Sequence, residues 1–145
     1  MQATLSAIAR HPPWRRRSAA SWRATRWPSS GGRAPGLRIL LDNLIENAAR
    51  HGREDGTVRV TLRPAVNGDG PAIEVEDDGP GIPTAERERV FEPFHRVAGS
   101  DRPVSGLGLA LVAQQARLHG ADVSVGDSAL GGARVRVGFP AAQDP

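Results

Sequence analysis

Two amide side chains and one carboxylate lie close together on a predicted helix. Asn43 and Asn47 are four residues apart and Glu46 is their neighbour, while the apolar residues occupy the opposite face. Amide and carboxylate oxygens are suitable ligands for Mg²⁺, which takes one or two protein oxygens together with phosphate and water. Arg50 and His51 follow one turn later, within reach of phosphate. Taken alone, the segment also fits a solvated polar stripe on an amphipathic helix.

A second candidate site follows a predicted strand directly. The segment Asp77-Asp78-Gly79-Pro80-Gly81-Ile82 places a carboxylate at the strand end, where it can accept a hydrogen bond from the exocyclic amine of adenine. The glycines allow positive φ and a close approach of ligand to backbone. An ordinary Asp-Gly turn is the alternative. The irregular loop that follows, residues 79–105, is longer than a hairpin needs, and such loops are usually lids, binding loops or disordered segments.

Two further segments carry weaker signals. Gly106-Leu107-Gly108-Leu109 opens a predicted helix, and helix N-termini offer free N–H groups and a positive dipole end to phosphate. The segment is neither a Walker loop nor a Rossmann turn, since the residues those motifs require are missing. Phe91-Glu92-Pro93-Phe94 lies inside the long loop, where two phenylalanines predict a hydrophobic anchor and Arg96 supplies a cation. A loop helix packed on the core is the alternative.

The elements that must position these residues follow from hydrophobic periodicity and turn chemistry. Apolar residues recur at helical spacing after Leu37, alternate in the strand segments, and are interrupted by glycine turns such as the one at 67–70. The pattern predicts an α/β (α+β) two-layer sandwich with a mixed or antiparallel sheet and helices on one face. The predicted helices span 37–51, 84–90 with Thr84 as N-cap, and 107–119, and the predicted strands span 57–62, 72–77, 122–125 and 134–139.

The N-terminal part of the chain differs in composition from the rest. Residues 1–41 hold eight arginines and no acidic residue, whereas residues 42–145 hold eleven arginines and sixteen acids. We therefore expect a basic, disordered segment over residues 1–36, with a short helix from Ala3 to Arg10 at most. Residues 37–140 form the predicted domain and 141–145 a tail. The absence of cysteine excludes disulfide frameworks and thiolate metal sites, and no apolar run is long enough to span a membrane.

Together, the four segments resemble the ATP-binding domain of bacterial sensor histidine kinases, which has the Bergerat or GHKL fold. Asn43 to His51 is similar to that family's N box, and Phe91 to Phe94 to its F box. Asp77, Gly79 and Gly81 match the G1 box, and Gly106 to Leu109 the G2 box. Gly131 and Gly132 stand where a final glycine box is expected. The resemblance extends from Leu37 to Pro140.

The resemblance implies Mg²⁺ and ATP as cofactors and assigns a role to each matched residue. Asn47 would be the Mg²⁺ ligand, helped by Asn43 and Glu46. The adenine pocket would be formed by Asp77, Gly79, Gly81 and Ile82. Residues 83–105 would be the ATP lid. Phosphate or ribose would be bound by Arg50, His51, Gly106, Leu107, Gly108 and Leu109, and the catalytic set would be Asn43, Glu46 and Arg96, with Arg96 directed toward the γ-phosphate.

The resemblance also favours phosphoryl transfer over hydrolysis. Relatives that hydrolyse ATP have a glutamate general base where Asn43 stands, and an amide cannot take a proton from water at neutral pH. No phosphoacceptor motif resembling His-Glu-Leu-Arg-Thr-Pro occurs here. We therefore expect a cytoplasmic donor fragment that phosphorylates a separate dimerisation and phosphoacceptor domain, and through it a response regulator. An anti-sigma-factor-type Ser/Thr kinase and a basic non-catalytic adaptor are the alternatives; binding to nucleic acid is the less favoured outcome.

Overall fold

Two helices and five strands make up the computed structural model, which describes residues 5–10, 34–97 and 107–141, with backbone only in the first range. The strands are β1 (Leu5–Arg10), β2 (Thr57–Arg63), β3 (Ala72–Glu76), β4 (Asp122–Asp127) and β5 (Ala133–Gly138), and the helices are α1 (Ala34–His51) and α2 (Gly108–Leu118). Two 3-10 turns, Thr84–Glu86 and Arg89–Phe91, lie between β3 and α2. Neither helix of the described ranges is long and apolar enough to cross a bilayer.

The five strands form one sheet in the order β1-β2-β3-β5-β4, and every pair is antiparallel among the described residues. The structure thus has the antiparallel alternative of the two sheet types that the sequence left open. Valines and isoleucine on β3 and β5, such as Ile73 and Val137, share one core with Leu44 of α1 and Val112 of α2. The two helices therefore cover one face of the sheet, as the period-two pattern of the strands predicts.

The other face of the sheet carries charged side chains that are partly buried by one another. Glu74 is only 4% exposed and accepts hydrogen bonds from Arg63 Nε at 2.9 Å and Arg136 Nη1 at 2.8 Å. Burial opposes ionisation, but the two guanidinium groups outweigh it and hold the pKa of Glu74 below its ordinary value. Cross-strand charge pairs of this kind let a central strand stay polar on the face that the helices leave uncovered.

Two hairpin and helix ends have the chemistry that the sequence predicts. Asn67 and Gly68 both have positive φ, at 52° and 89°, which is the pattern of a type I′ turn between β2 and β3. Gly120 has a φ of 64° immediately beyond the end of α2, where a left-handed residue closes a helix. Both turns place the following strand against its neighbour in the sheet.

The N-terminal expectation was wrong where the structure describes it. Leu5–Arg10 forms strand β1 and pairs with β2, from Leu5 opposite Leu62 to Arg10 opposite Thr57. The helix expected from Ala3 to Arg10 rested on local spacing, whereas the partner that selects a strand lies more than forty residues away in sequence. The remainder of the basic segment, apart from the start of α1, lies outside the described residues.

Helix α1 begins at Ala34, three residues before the predicted start. Pro35 is compatible with a first helical turn because its missing N–H would have no intrahelical partner there. The helix predicted over 84–90 is also wrong, since two separate 3-10 turns occupy this stretch. Pro83 is the N-cap residue and Thr84 makes no capping hydrogen bond, so the segment lacks the side-chain cap that a longer helix would need.

Candidate functional site

A cavity of about 1030 Å³ opens between the C-terminal end of α1, the turn after β3, the start of the long loop, the β4–β5 turn and the N-terminus of α2. Its volume matches that of sites for drug-sized ligands and cofactors. Ten of the fourteen residues that were assigned a site role from the sequence line this cavity. They are Asn47, Arg50, His51, Asp77, Gly79, Gly81, Ile82, Arg96, Gly108 and Leu109.

Asp77 is fixed rigidly at the wall of the cavity. Its side chain is 3% exposed, and its Oδ1 accepts hydrogen bonds from the backbone N–H of Gly79 at 2.9 Å and of Ala133 at 3.2 Å. The backbone of Asp77 also pairs with the chain entering β5, donating to Ala133 O at 3.0 Å and accepting from Gly132 N at 3.1 Å. Because both of these side-chain bonds use Oδ1, Oδ2 is the oxygen left for a ligand.

Burial raises the pKa of Asp77 above its ordinary value of 3.8, and the N–H groups of Gly79 and Ala133 offset only part of that effect. The folded chain therefore retains this proton at pH values where the unfolded chain has lost it. The resulting contribution to stability is fully present below about pH 3.8 and disappears as the pH rises through the folded-state pKa. Ionised Asp77 is thus a cost to the ligand-free fold.

We expect an Asp77→Asn variant to become progressively more stable than the wild-type protein as the pH rises from 4 to 7. The amide keeps an oxygen for the Gly79 and Ala133 N–H groups and carries no charge that must be desolvated. Urea unfolding of both proteins at several pH values, without nucleotide, measures the difference. A difference in unfolding free energy that does not change with pH would contradict the assignment of the burial cost to Asp77.

The turn after β3 needs glycine for two different reasons. A Cβ on Gly79 would lie 2.1 Å from the carbonyl oxygen of His51, so the turn passes too close to α1 for any side chain. Gly81 has a φ of 77°, a left-handed conformation that other residues adopt only with strain. The two glycines therefore let the backbone of the turn pack against the end of α1 and line the cavity.

Cationic side chains dominate the charged lining of the cavity. Arginines and histidines from α1, the loop after it and the long loop meet there with two acids, Asp77 and Asp127. An excess of positive charge around a concave site raises the local concentration of anionic ligands. The arginines are Arg50, Arg53, Arg87 and Arg96, and the histidines are His51 and His95.

Of the other four residues assigned from the sequence, three are not part of this lining and Gly106 lies outside the described residues. Leu107 precedes α2 without contributing to the cavity. Glu46 is exposed on α1. Asn43 donates a hydrogen bond from Nδ2 to Ile39 O at 2.8 Å, and its Oδ1 would lie 3.9 Å from a Cβ placed on Gly108. Asn43 therefore faces the N-terminal end of α2, next to the cavity.

The long loop is held down by one phenylalanine, where the sequence predicted two. Phe91 is half-buried and packs against the core, but Phe94 is 73% exposed and has a φ of 63°. The next residue provides a different attachment, since His95 Nε2 lies 2.5 Å from Glu86 Oε2. The paired anchor is therefore wrong for Phe94, because the left-handed backbone there turns its ring toward solvent.

Asp78, next to Asp77, supports the site and has no role among those predicted from the sequence. Its Oδ1 accepts a hydrogen bond from Arg53 N at 3.0 Å and its Oδ2 one from Thr57 N at 2.8 Å. Burial opposes ionisation, but these N–H groups outweigh it and hold the pKa of Asp78 below its ordinary value. Asp78 thereby ties the loop after α1 to the turn after β3, while Asp77 points into the cavity. The sequence feature that could have indicated this role is the pair of consecutive acids before Gly79.

Comparison with known proteins places this geometry in a family. The model of the family described as histidine kinase-, DNA gyrase B- and HSP90-like ATPase matches residues 32–143. The sensor-type histidine kinase PrrB of Mycobacterium leprae is 48% identical over 104 residues, which are 72% of this chain and 23% of that protein. The chain thus spans about a quarter of that relative's length, and the relatives lend no support to the Ser/Thr kinase or adaptor alternatives.

Solved structures agree with this match. The mycobacterial sensor histidine kinase MprB superposes with a TM-score of 0.66 at 35% identity, over 75% of this chain and 72% of that one. Full-length ShkA in complex with AMPPNP gives a TM-score of 0.61 at 33% identity, over 76% of this chain and 23% of that one. On the fold, the cavity and these matches, the chain belongs to the histidine kinase-, DNA gyrase B- and HSP90-like ATPase family and comprises the ATP-binding domain of a histidine kinase.

Proposed function

We propose that this domain binds Mg²⁺-ATP and donates the γ-phosphate to a histidine of a two-component sensor kinase. The observation that carries the proposal is Asp77, a buried carboxylate with one oxygen held by backbone N–H groups at the wall of a cationic cavity. Such a group can accept a hydrogen bond from the adenine amine. A guanine presents a carbonyl oxygen at the same position, which a carboxylate repels.

The phosphate end of the nucleotide would lie toward the cationic side of the cavity. Arg50 and His51 end α1, and Arg96 approaches from the long loop. Gly108 and Leu109 begin α2, whose first N–H groups and positive dipole end favour phosphate oxygens. The proposal therefore sets adenine at Asp77 and the triphosphate between α1, α2 and the lid.

The donor set around Asn47 fits a hard divalent cation. Asn47 lines the cavity beside the proposed phosphate site, and its amide oxygen is a suitable Mg²⁺ ligand. Mg²⁺ would neutralise phosphate charge and orient the γ-phosphate for transfer. Asn43 stands one turn before Asn47 on the same helix, Glu46 immediately precedes Asn47, and both would order water around the ion. We assign transfer in preference to hydrolysis because the amide of Asn43 offers no general base.

The phosphate acceptor would come from a separate domain. The chain covers about a quarter of the PrrB length that it matches, and no His-Glu-Leu-Arg-Thr-Pro-like motif occurs in its sequence. We therefore propose transfer in trans to a dimerisation and phosphoacceptor domain, and indirect action on a response regulator. Phosphate from γ-labelled ATP should appear on such a domain, purified separately from a sensor kinase, only when this chain is present.

Calorimetric titration tests the nucleotide step independently of transfer. We expect the chain to bind a non-hydrolysable ATP analogue in the presence of Mg²⁺ and to bind the corresponding GTP analogue at least about tenfold more weakly, because the adenine contact is lost. Equal affinity for the two analogues would contradict the role of Asp77. No heat with either would contradict the proposed function itself.

An Asn47→Ala variant is expected to lose the Mg²⁺ dependence of nucleotide binding. The alanine removes one oxygen ligand, so affinity in Mg²⁺ should fall about tenfold while affinity in excess chelator stays that of the wild-type protein. Asn47→Asp is the matched control, since it keeps an oxygen at the same position and should retain the Mg²⁺ effect. An alanine variant with an undiminished response to Mg²⁺ would exclude Asn47 as a ligand.

A further inference from the structure

One arginine connects two separate parts of the cavity rim. Arg87 Nε donates a hydrogen bond to the backbone oxygen of Ile82 at 3.0 Å, and Arg87 Nη2 lies 2.7 Å from Asp127 Oδ1. All three residues line the cavity. Arg87 follows the first 3-10 turn of the long loop, whereas Asp127 ends β4 on the far side of the opening. The contact therefore joins the base of the lid to the β4–β5 turn.

The same two segments are already joined at their other ends. Asp77 begins the turn that reaches Ile82, and its Oδ1 is bound by Ala133 N at the end of the β4–β5 turn. The chain from Asp77 to Ile82 and the chain from Asp127 to Ala133 are thus fastened together at the buried end by Asp77 and at the open end by Arg87. The two fastenings complete a closed ring around the adenine end of the proposed site.

The position of the ion pair argues against a main role in fold stability. The Asp127 side chain is 85% exposed and that of Arg87 23%. Exposed pairs of this kind stabilise a protein only slightly, because solvent screens them and two side chains lose freedom. Asp122, at the other end of β4, is also exposed and lies outside the cavity lining, so it offers a matched control for Asp127.

We propose that Arg87 and Asp127 are positioning residues that set the width of the adenine end of the cavity. Arg87 holds the backbone at Ile82, Asp127 holds Arg87, and the base enters between the two fastened segments. This inference rests on the proposed nucleotide function. Because the two segments are already joined before the ligand binds, binding does not have to order the rim. If either residue of the pair is removed, the free energy needed to order the rim lowers the affinity.

Nucleotide binding by single and double variants tests the pair. Arg87→Ala and Asp127→Ala should each weaken affinity for a Mg²⁺-bound fluorescent ATP analogue about fivefold, mostly through faster dissociation in stopped-flow traces. The double variant should bind no more weakly than the single variants, because either substitution alone already breaks the link between the two segments. Melting temperatures should stay within about 2 °C of the wild-type value. The Asp122→Ala variant should bind as the wild-type protein does.

Two outcomes would overturn the positioning role. If Asp127→Ala binds normally while Arg87→Ala does not, Arg87 contacts the nucleotide by itself. If the two losses add in the double variant, the residues act separately.

Hydrogen exchange without nucleotide keeps the test independent of the proposed function. The N–H groups of Ser128 and Gly131, which bond within the β4–β5 turn, should exchange about threefold faster in either single variant. Unchanged exchange would overturn the proposal. Faster exchange in a chain whose wild-type form binds no nucleotide would refute the nucleotide function and leave the rim pair standing.

Discussion

An Asp77→Asn variant is expected to lose at least about a hundredfold in affinity for an ATP analogue while its fold stays intact. The side-chain oxygen would keep the bonds from Gly79 and Ala133, which turns the new amide nitrogen toward the ligand. A donor would then face the donor amine of adenine, so two buried polar groups would be left without partners. Such mismatches cost a few kcal/mol, which is a hundredfold or more in affinity.

Calorimetry gives the affinity and circular dichroism the integrity of the fold. Asp69→Asn is a matched control, because it makes the same chemical change at an exposed residue of the β2–β3 turn, outside the cavity lining. It should bind like the wild-type protein. An Asp77→Asn variant with wild-type affinity would show that the buried carboxylate does not read the base, and the orientation of the nucleotide in the cavity would have to be reversed.

A Gly132→Ala variant is expected to lose about 3 kcal/mol of unfolding free energy, near the upper end for an overpacked site. A Cβ at this position would lie 2.1 Å from Asp77 Oδ1, 2.5 Å from Gly79 N and 2.6 Å from Asp77 O. Two of these atoms belong to the backbone, so the clash cannot be relieved by rotating one side chain. The start of β5 must move away from β3, which separates Asp77 from the N–H groups that hold it.

Thermal unfolding should show the loss as a fall of roughly 10 °C in Tm. Gly138→Ala provides the control at the other end of β5, since a Cβ there would meet no atom within 4 Å among the described residues. It should change Tm by no more than a few degrees. If the two variants are equally stable, the contact between the β4–β5 turn and Asp77 is looser than these distances require.

The regular elements of the domain were predictable because their signals are local. The α1 and α2 periodicity, the alternation of β2 to β5 and the glycine turns at Gly68 and Gly120 lie within short windows of sequence. Strand β1 was not predictable in this way. Its residues fit a short helix as well as a strand, and only the distant edge of β2 selects between them. The 3-10 turns after Pro83 likewise depend on contacts that the segment makes elsewhere.

The candidate site was also predictable only where its signals are local. Glycines and the acid at the strand end indicate the turn after β3, because its backbone geometry requires particular residue types. The residues that contact the long loop have no comparable local signal in the sequence. Arg87 meets Asp127 forty residues along the chain, and nothing around either residue distinguishes it from a solvated surface charge. For Phe94 a local signal was misleading. The aromatic residue in a motif predicted burial, but its backbone has a positive φ and its side chain is exposed.

The place of β1 in the sheet bears on where this domain can be cut. The family match begins at residue 32, yet the strand that covers the outer side of β2 comes from residues 5–10. A chain shortened to the family boundary would leave the N–H and C=O groups of β2 along Thr57–Arg63 without their neighbour. An uncovered edge strand recruits whatever strand it meets, including the same strand of another copy. Self-association of the shortened domain would then result from the removal of β1.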